Sequence, residues 1–456
     1  MSKHGFHDTI AALATPNGIG AIAVVRISGA DAIRITASLF RGKNLNTVDG
    51  HTIHFGKFAE GDRLIDEVLV SVFRAPHSYT GEDSAEISCH GSPMIAAEIL
   101  KALVRAGARP AAAGEFTRRA FLNGKLDLAQ AEAVADLIHS ENESARITAL
   151  QQMKGGFSKI LAELREELIS FASLIELELD FSEEDVEFAR RDDLKKMIER
   201  ILEFIIPLIE SFNRGNVIRE GVRTVIAGKP NAGKSTLLNA LLKEEKAIVS
   251  EIAGTTRDVI EDVMHLDGIS LRFLDTAGLR ETNDPVEAIG VSRSVEQMKK
   301  ANLILYLFDL SCATAAEIET ELASIKKYGV PVIPVGNKMD LASTEIKSIT
   351  ASKGFILISA KHQEQLETLK SKIMELFSNL TLRPGELVIT NVRHYAGLLQ
   401  TREALERVLE ALDQKISGDL LAQDIRQALH HLGELTGTIT TEDLLDQIFS
   451  RFCIGK

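Results

Sequence analysis

The sequence predicts a multidomain protein of α+β and α/β class: an N-terminal α+β domain, a helical bundle, and a doubly wound P-loop domain inserted into the helical part. Three observations lead there. Gly228-Lys229-Pro230-Asn231-Ala232-Gly233-Lys234-Ser235 stands between a buried-strand pattern and a helical one. Strand and helix patterns alternate from about 217 to 378, and long amphipathic helical patterns flank that stretch on both sides. A length of 456 residues suits about three domains.

Residues 1–118 form the first expected domain. Ala21–Ile27 and Val68–Phe73 have β-branched, strand-like composition. Ile95–Val104 reads as a helix stopped near Gly107 and Pro110. Ser78–Asp83 and Cys89–Pro93 read as turns. Arg26 and Glu86 fall on strands, and taken alone each reads as a solvated strand-end charge.

From Phe121 the period changes to helical, with Leu126, Leu128, Ala131, Val134, Ala135, Leu137 and Ile138 on one stripe. Ile160–Leu179 and Leu194–Ile209 repeat it, with Ser182–Asp185 and Asp192-Asp193 as caps and acidic first turns, and Pro207 as an expected kink. After Leu382–Gly385 the chain is helical again over Val392–Leu412, Leu420–Leu432 and a last helix capped at Thr440–Asp443. A helical domain of 119–216 and 382–456 would therefore enclose an inserted domain of 217–381, whose apolar strands are Val222–Ala227, Leu271–Leu274, Leu303–Asp309, Val330–Val335 and Phe355–Ile358.

The composition excludes several classes. The chain is 45% apolar and 26% charged, ordinary for a globular protein. It has no secretory signal pattern and no apolar run near the ~20 residues that span a bilayer, so a cytoplasmic location without membrane attachment is expected. Cys89, Cys312 and Cys453 are too far apart for a disulfide framework or a C-x-x-C metal site. A net charge of −13 does not attract nucleic acid by its overall field.

The phosphate loop carries the first functional reading. Its glycines let backbone N–H groups of Asn231, Ala232, Gly233, Lys234, Ser235 and Thr236 face phosphate oxygens, and the following helix adds its positive end. Lys234 would reach the β- and γ-phosphates and Ser235 would ligate Mg²⁺. Thr255-Thr256 offer a second hydroxyl, with Thr256 the expected Mg²⁺ ligand. Asp275-Thr276-Ala277-Gly278 ends a strand, placing a carboxylate near the metal and an N–H near the γ-phosphate. Asn337-Lys338-Met339-Asp340 reads guanine, because the Asp340 carboxylate can accept the ring N–H and the amino group together. Ser359-Ala360-Lys361 backs the base. The five in order, each at a strand end, specify GTP over ATP.

Two usual parts are missing. The position after Gly278 is Leu279, which cannot orient a water as the glutamine of Ras-type GTPases does. Arg257 and Arg280 are candidate arginine fingers, equally readable as surface charges. Glu287 could fold over the site or be a first-turn helix carboxylate.

Taken together, these residues resemble the MnmE (TrmE) family of tRNA-modifying GTPases over essentially the whole chain. Four signatures carry the resemblance: Asp8-Thr9-Ile10 with Ala14-Thr15-Pro16 and Arg26-Ile27-Ser28-Gly29; Gly114-Glu115-Phe116-Thr117-Arg118-Arg119-Ala120-Phe121-Leu122-Asn123-Gly124-Lys125-Leu126-Asp127; the GTPase motifs with Gly254–Asp258; and Phe452-Cys453-Ile454-Gly455-Lys456. It implies a tetrahydrofolate-binding-like N-terminal domain that dimerises, a helical domain, and an inserted GTPase domain. It further implies joint work with a FAD-carrying flavoprotein, MnmG (GidA), in a heterotetramer or larger complex. The pair would add a carboxymethylaminomethyl or aminomethyl group to C5 of the wobble uridine of certain tRNAs. The one-carbon donor would be 5,10-methylenetetrahydrofolate, with 5-formyltetrahydrofolate as its analogue.

By matching motif positions, Arg26, Glu86, Lys125 and Lys456 would contact folate, and Asn231, Ser250, Ile252 (main chain) and Thr255 would bind a K⁺ that replaces the arginine finger. Glu287 would orient the attacking water, and Cys453 would serve the modification reaction, as a nucleophile or in another role. The tail also has the outline of a prenylation signal, but Lys456 is a poor final residue for one. A regulatory or ribosome-assembly GTPase, whose N-terminal domain only docks partners, is the competing class.

Overall fold

The computed structural model of this chain describes residues 8–180, 190–243, 262–274, 297–380, 382, 386–414, 416 and 418–456. They gather into two compact units. One holds residues 1–138, 149–203 and 396–456; the other holds 139–148 and 204–395.

In the first unit, alternating apolar residues build a sheet from β1 (Ile10–Leu13), β2 (Ile22–Ser28), β3 (Phe40–Arg41), β4 (Thr52–Glu60), β5 (Arg63–Phe73), β6 (Ser84–His90) and β7 (Arg109–Pro110). Among the described residues the strand order is β3-β4-β5-β6-β2-β1-β7, antiparallel except where β7 joins β1 in parallel. Val25, Ile27, Val68, Val70, Val72, Ala85 and Ile87 bury one face together with residues of helices Ala32–Leu39 and Pro93–Arg105. Because strand side chains alternate, the opposite face carries Arg26, Glu86 and the exposed Ile22, Ile53, Phe55 and Leu69. The Ser78–Asp83 turn holds as expected, whereas β6 runs on through His90 before the chain turns.

Helices Leu128–Ile138, Gly156–Asp180, Gly418–Thr436 and Glu442–Phe449 complete this unit with parts of longer helices. Helix Arg191–Glu220 runs on through Pro207 and ends eleven residues beyond the expected Ile209.

The second unit carries β8 (Val222–Gly228), β9 (Asp262–Leu266), β10 (Ile269–Phe273), β11 (Leu303–Asp309), β12 (Val332–Asn337) and β13 (Ile356–Leu357), in the order β13-β12-β11-β8-β10-β9. All neighbours are parallel except the β9–β10 hairpin. The parallel strands are apolar on both faces because helices cover both. Their C-terminal ends lie on one edge, where ligands of such sheets bind. Residues 139–148 join this unit through Asn142, whose Nδ2 donates to the Ile218 carbonyl at 3.2 Å and to Ser270 Oγ at 3.0 Å.

Candidate functional site

The phosphate loop leaves the end of β8. Gly228 has φ +143°, and a Cβ there would lie 2.3 Å from the Leu307 carbonyl oxygen on β11, so only glycine lets the two strands stay paired. The chain then turns through Asn231 at φ +63° and Gly233 at φ +95°, and helix Lys234–Lys243 begins. Lys234 Nζ donates to the carbonyls of Gly228 at 2.8 Å and Lys229 at 3.0 Å. Partial burial lowers its pKa from the usual lysine range. Ser235 and Thr236 follow in the first turn of the helix.

One residue joins this loop to the base-recognition loops. Buried Asn337, at the end of β12, donates from Nδ2 to the Ala232 carbonyl at 2.8 Å and accepts the Ala360 N–H at 3.0 Å. Lys338, at φ +61°, reaches Asp309 at 2.5 Å, and Asp309 pairs with Asn337 across β11 and β12. Burial pushes the Asp309 carboxyl up, but hydrogen bonds from Lys338 and Ser311 outweigh it and hold the pKa below the usual carboxylate range. Ser359 Oγ donates to Asp340 at 2.8 Å and lowers that carboxyl as well. Lys361 follows Ala360 at the surface.

Thus Asn231, Ala232, Gly233, Lys234, Ser235 and Thr236 are tied through Asn337 to Lys338, Asp340, Ser359, Ala360 and Lys361. The expected ligands Ser250, Ile252, Thr255, Thr256, Asp275, Thr276, Ala277, Gly278 and Glu287 lie outside the described residues, as do Arg257, Leu279 and Arg280.

A second site lies on the open face of the first unit's sheet. Arg26 on β2 stands directly opposite Glu86 on β6, and its Nε and Nη2 donate to Glu86 Oε1 at 3.0 and 2.8 Å. The guanidinium lies 5.3 Å from the Tyr79 ring centre and 5.6 Å from that of Phe116. A cavity of about 170 Å³ is lined by Arg26, Phe73, Tyr79, Thr80, Ser84 and Glu86. Tyr79 OH and Thr117 Oγ1 are 2.9 Å apart, and burial raises the tyrosine's pKa. A carboxylate, three hydroxyls and two aromatic rings suit a flat heterocycle with donors along one edge.

Sequence reasoning missed Phe73, Tyr79, Thr80, Ser84 and Phe116. The turn around Tyr79 was visible, but nothing local tied it to Arg26. Lys125 and Lys456 are not among the lining residues: Lys125 Nζ donates to the Pro76 carbonyl at 3.1 Å, and the Lys456 carbonyl accepts the Phe116 N–H at 3.2 Å.

The glycine-led signature at residues 114–119 holds this site together. Glu115 accepts bonds from Arg109, Arg119 and the Ala112 N–H. Fully buried Arg119 pairs with Asp8 at 2.7 Å, Glu115 at 3.0 Å and Glu82 at 3.3 Å, so the buried charge is compensated. Glu82 in turn accepts from Ser28, two residues along β2 from Arg26.

The final segment docks here too. Ile454 bridges Ala113 in antiparallel fashion, Gly114 N–H donates to the Cys453 carbonyl at 3.5 Å, and Arg26 Nη1 donates to the Gly455 carbonyl at 3.4 Å. Cys453 is exposed, two residues from a contact with the cavity's arginine. Among the described residues there is no cluster of three metal-ligating side chains and no helix long and apolar enough to cross a membrane.

Comparison with known proteins covers nearly the whole chain. A family model described as the MnmE helical domain matches residues 128–453, and one described as the GTP-binding protein TrmE N-terminus matches residues 9–125. A tRNA modification GTPase MnmE of Cytophaga hutchinsonii is 56% identical over 452 residues, covering 98% of each chain. Another, of Christiangramia forsetii, is 52% identical over 471 residues and 99% of each chain. With two matching domain models and full-length relatives at this identity, the chain belongs to the MnmE family and is a GTPase that acts in tRNA modification.

Proposed function

We propose that this GTPase, with a FAD-carrying flavoprotein partner of the MnmG kind, builds a carboxymethylaminomethyl or aminomethyl group on C5 of the wobble uridine of certain tRNAs. The observation that carries this reading is the Arg26–Glu86 cavity, with the Cys453 segment docked against it. Glu86 presents a carboxylate to the donor edge of a pterin, and Arg26 fixes its orientation. Thr80, Ser84 and the Tyr79 hydroxyl complete the polar lining. A reduced folate bound there supplies the one-carbon unit. Lys125 and Lys456 remain candidates for its glutamate tail, from outside the lining. Cys453, exposed and two residues from the Gly455 contact with Arg26, would serve the modification reaction.

In the nucleotide site the chain's own residues do the positioning. Asn231 through Thr236 direct N–H groups at phosphate oxygens, Lys234 offsets their charge, and Asp340 accepts from guanine. Ser235 and Thr256 are the residues for Mg²⁺. Asn231, Ser250, Ile252 and Thr255 are those for K⁺, which supplies the positive charge an arginine finger gives elsewhere. Glu287 would orient the attacking water, Asp275 would hold the Mg²⁺ through water, and the Gly278 N–H would reach the γ-phosphate.

Homodimerisation through the N-terminal domain is supported by the uncovered sheet face. Ile22, Ile53, Phe55 and Leu69 are 65, 65, 67 and 45% exposed there, and apolar side chains grouped on one face are what an interaction surface presents. A cytoplasmic location follows from the substrate.

Deleting the gene and digesting bulk tRNA to nucleosides tests the reading. Loss of the modified wobble uridine, restored by the wild-type chain, is expected. Unchanged modification would overturn it, and ribosomal co-sedimentation in its place would favour an assembly GTPase.

A further inference from the structure

We propose that Arg118 is a positioning residue for the segment that carries Cys453; this rests on the reading that the cysteine acts in tRNA modification. Arg118 lies on helix Glu115–Leu122, whose first turn receives the final segment through the Phe116 N–H. From the same helix its guanidinium reaches across to helix Glu442–Phe449. Nη2 pairs with Glu442, and Nη1 with Asp446 at 2.8 Å.

Glu442 and Asp446 are one turn apart. A rigid planar fork that spans both fixes the rotation of that helix as well as its distance. The carboxylates are 68 and 65% exposed, so the pairs contribute little to stability. The helix is held down by apolar packing instead, with Leu445, Phe449 and Phe452 buried against Leu128 and Ala131. The two jobs are therefore separate: the cluster anchors the helix, and Arg118 orients it.

Orientation matters because the chain beyond the helix has no slack. A Cβ on Gly114 would lie 2.5 Å from the Phe449 carbonyl oxygen, and one on Gly455 would lie 2.2 Å from that of Leu13. Besides those close approaches, the carbonyls of Cys453 and Lys456 accept the N–H groups of Gly114 and Phe116. A turn of helix Glu442–Phe449 therefore passes directly to Cys453. Arg118 references that helix to the very backbone that receives the tail.

The test is hydrogen exchange by mass spectrometry on the full chain, in peptides covering residues 112–118. In Arg118→Ala, exchange of the Gly114 and Phe116 amides should rise roughly tenfold as the tail opens locally. The pair Glu442→Gln with Asp446→Asn should match it, and the triple variant should go no further. GTP hydrolysis and the thermal midpoint should not move, while wobble-uridine modification should fall with the exchange. Unchanged exchange in Arg118→Ala, or a rise that the carboxylate variants do not reproduce, would overturn the proposal and point to a role such as contact with RNA phosphate. Full modification by Cys453→Ser would instead overturn the reading of the cysteine, leaving exchange to decide the positioning role.

Discussion

Arg26 and Glu86 face each other across β2 and β6, and both arginine bonds fall on the single oxygen Oε1 of Glu86. Arg26 makes no claim on Oε2. With two aromatic rings and the Gly455 carbonyl also at its guanidinium, the arginine is largely occupied by the protein itself. The pair therefore divides its work on the proposed reading: Arg26 would be the frame, and Glu86 the group offered to a ligand.

Asn337 is the joint of the nucleotide site. In Asn337→Ala the buried Ala232 carbonyl and Ala360 N–H lose their partner, at ~1–3 kcal/mol each. Guanine nucleotide affinity should fall by about 10- to 100-fold, measured with a fluorescent GDP analogue. An unchanged Kd would show that the two loops hold their places without it.

Asp340 should determine the base. Asp340→Asn removes a carboxylate that accepts two donors at once, so GTP affinity should drop on the order of 10²–10⁴-fold. Xanthine nucleotides, which replace the amino group with an oxygen acceptor, should gain. Competition binding with GTP and XTP checks this, and an unaltered preference would remove Asp340 from base recognition.

Stability of the first unit should depend on acid through Glu115. Burial raises this carboxyl, yet hydrogen bonds from Arg109, the Ala112 N–H and Arg119 outweigh it, so the folded pKa lies below the free value of 4.5. A depressed folded pKa contributes stability above pH 4.5 that is lost as pH falls through the folded value. Thermal midpoints of the wild type should therefore decline below that pH, and Glu115→Gln should lower the midpoint at pH 7 while flattening the decline. Parallel curves would contradict the assignment.

Potassium should speed GTP hydrolysis over sodium by ~10²–10³, the usual weight of one transition-state electrostatic partner. Glu287→Ala should lower kcat with little change in nucleotide affinity. Steady-state phosphate release in the two salts decides the matter, and equal rates would return Arg257 and Arg280 to consideration.

Much of the nucleotide site was legible because phosphate and guanine are read by short local motifs at strand ends. Asn337 ends β12, Asp340 and Ser359 lie just beyond the ends of β12 and β13, and hydrogen bonds join the two loops. The edge strand β9 was not expected, although Asp267-Gly268, both at positive φ, is the two-residue turn signal that announces its hairpin with β10. β4 escaped notice because Ile53 and Phe55 point away from the core, which blurs the alternation. The cavity was less legible still. Arg26 and Glu86 lie sixty residues apart and meet only through strand pairing, and the Tyr79 and Phe116 rings arrive from a turn and a helix.

The most direct measurement is calorimetric titration of the full chain with 5-formyltetrahydrofolate, beside Glu86→Gln. Saturable binding by the wild type, lost or weakened at least ~10-fold in the variant, is the predicted result. No heat of binding at millimolar ligand, or equal affinity in the two proteins, would contradict the one-carbon role assigned to this cavity.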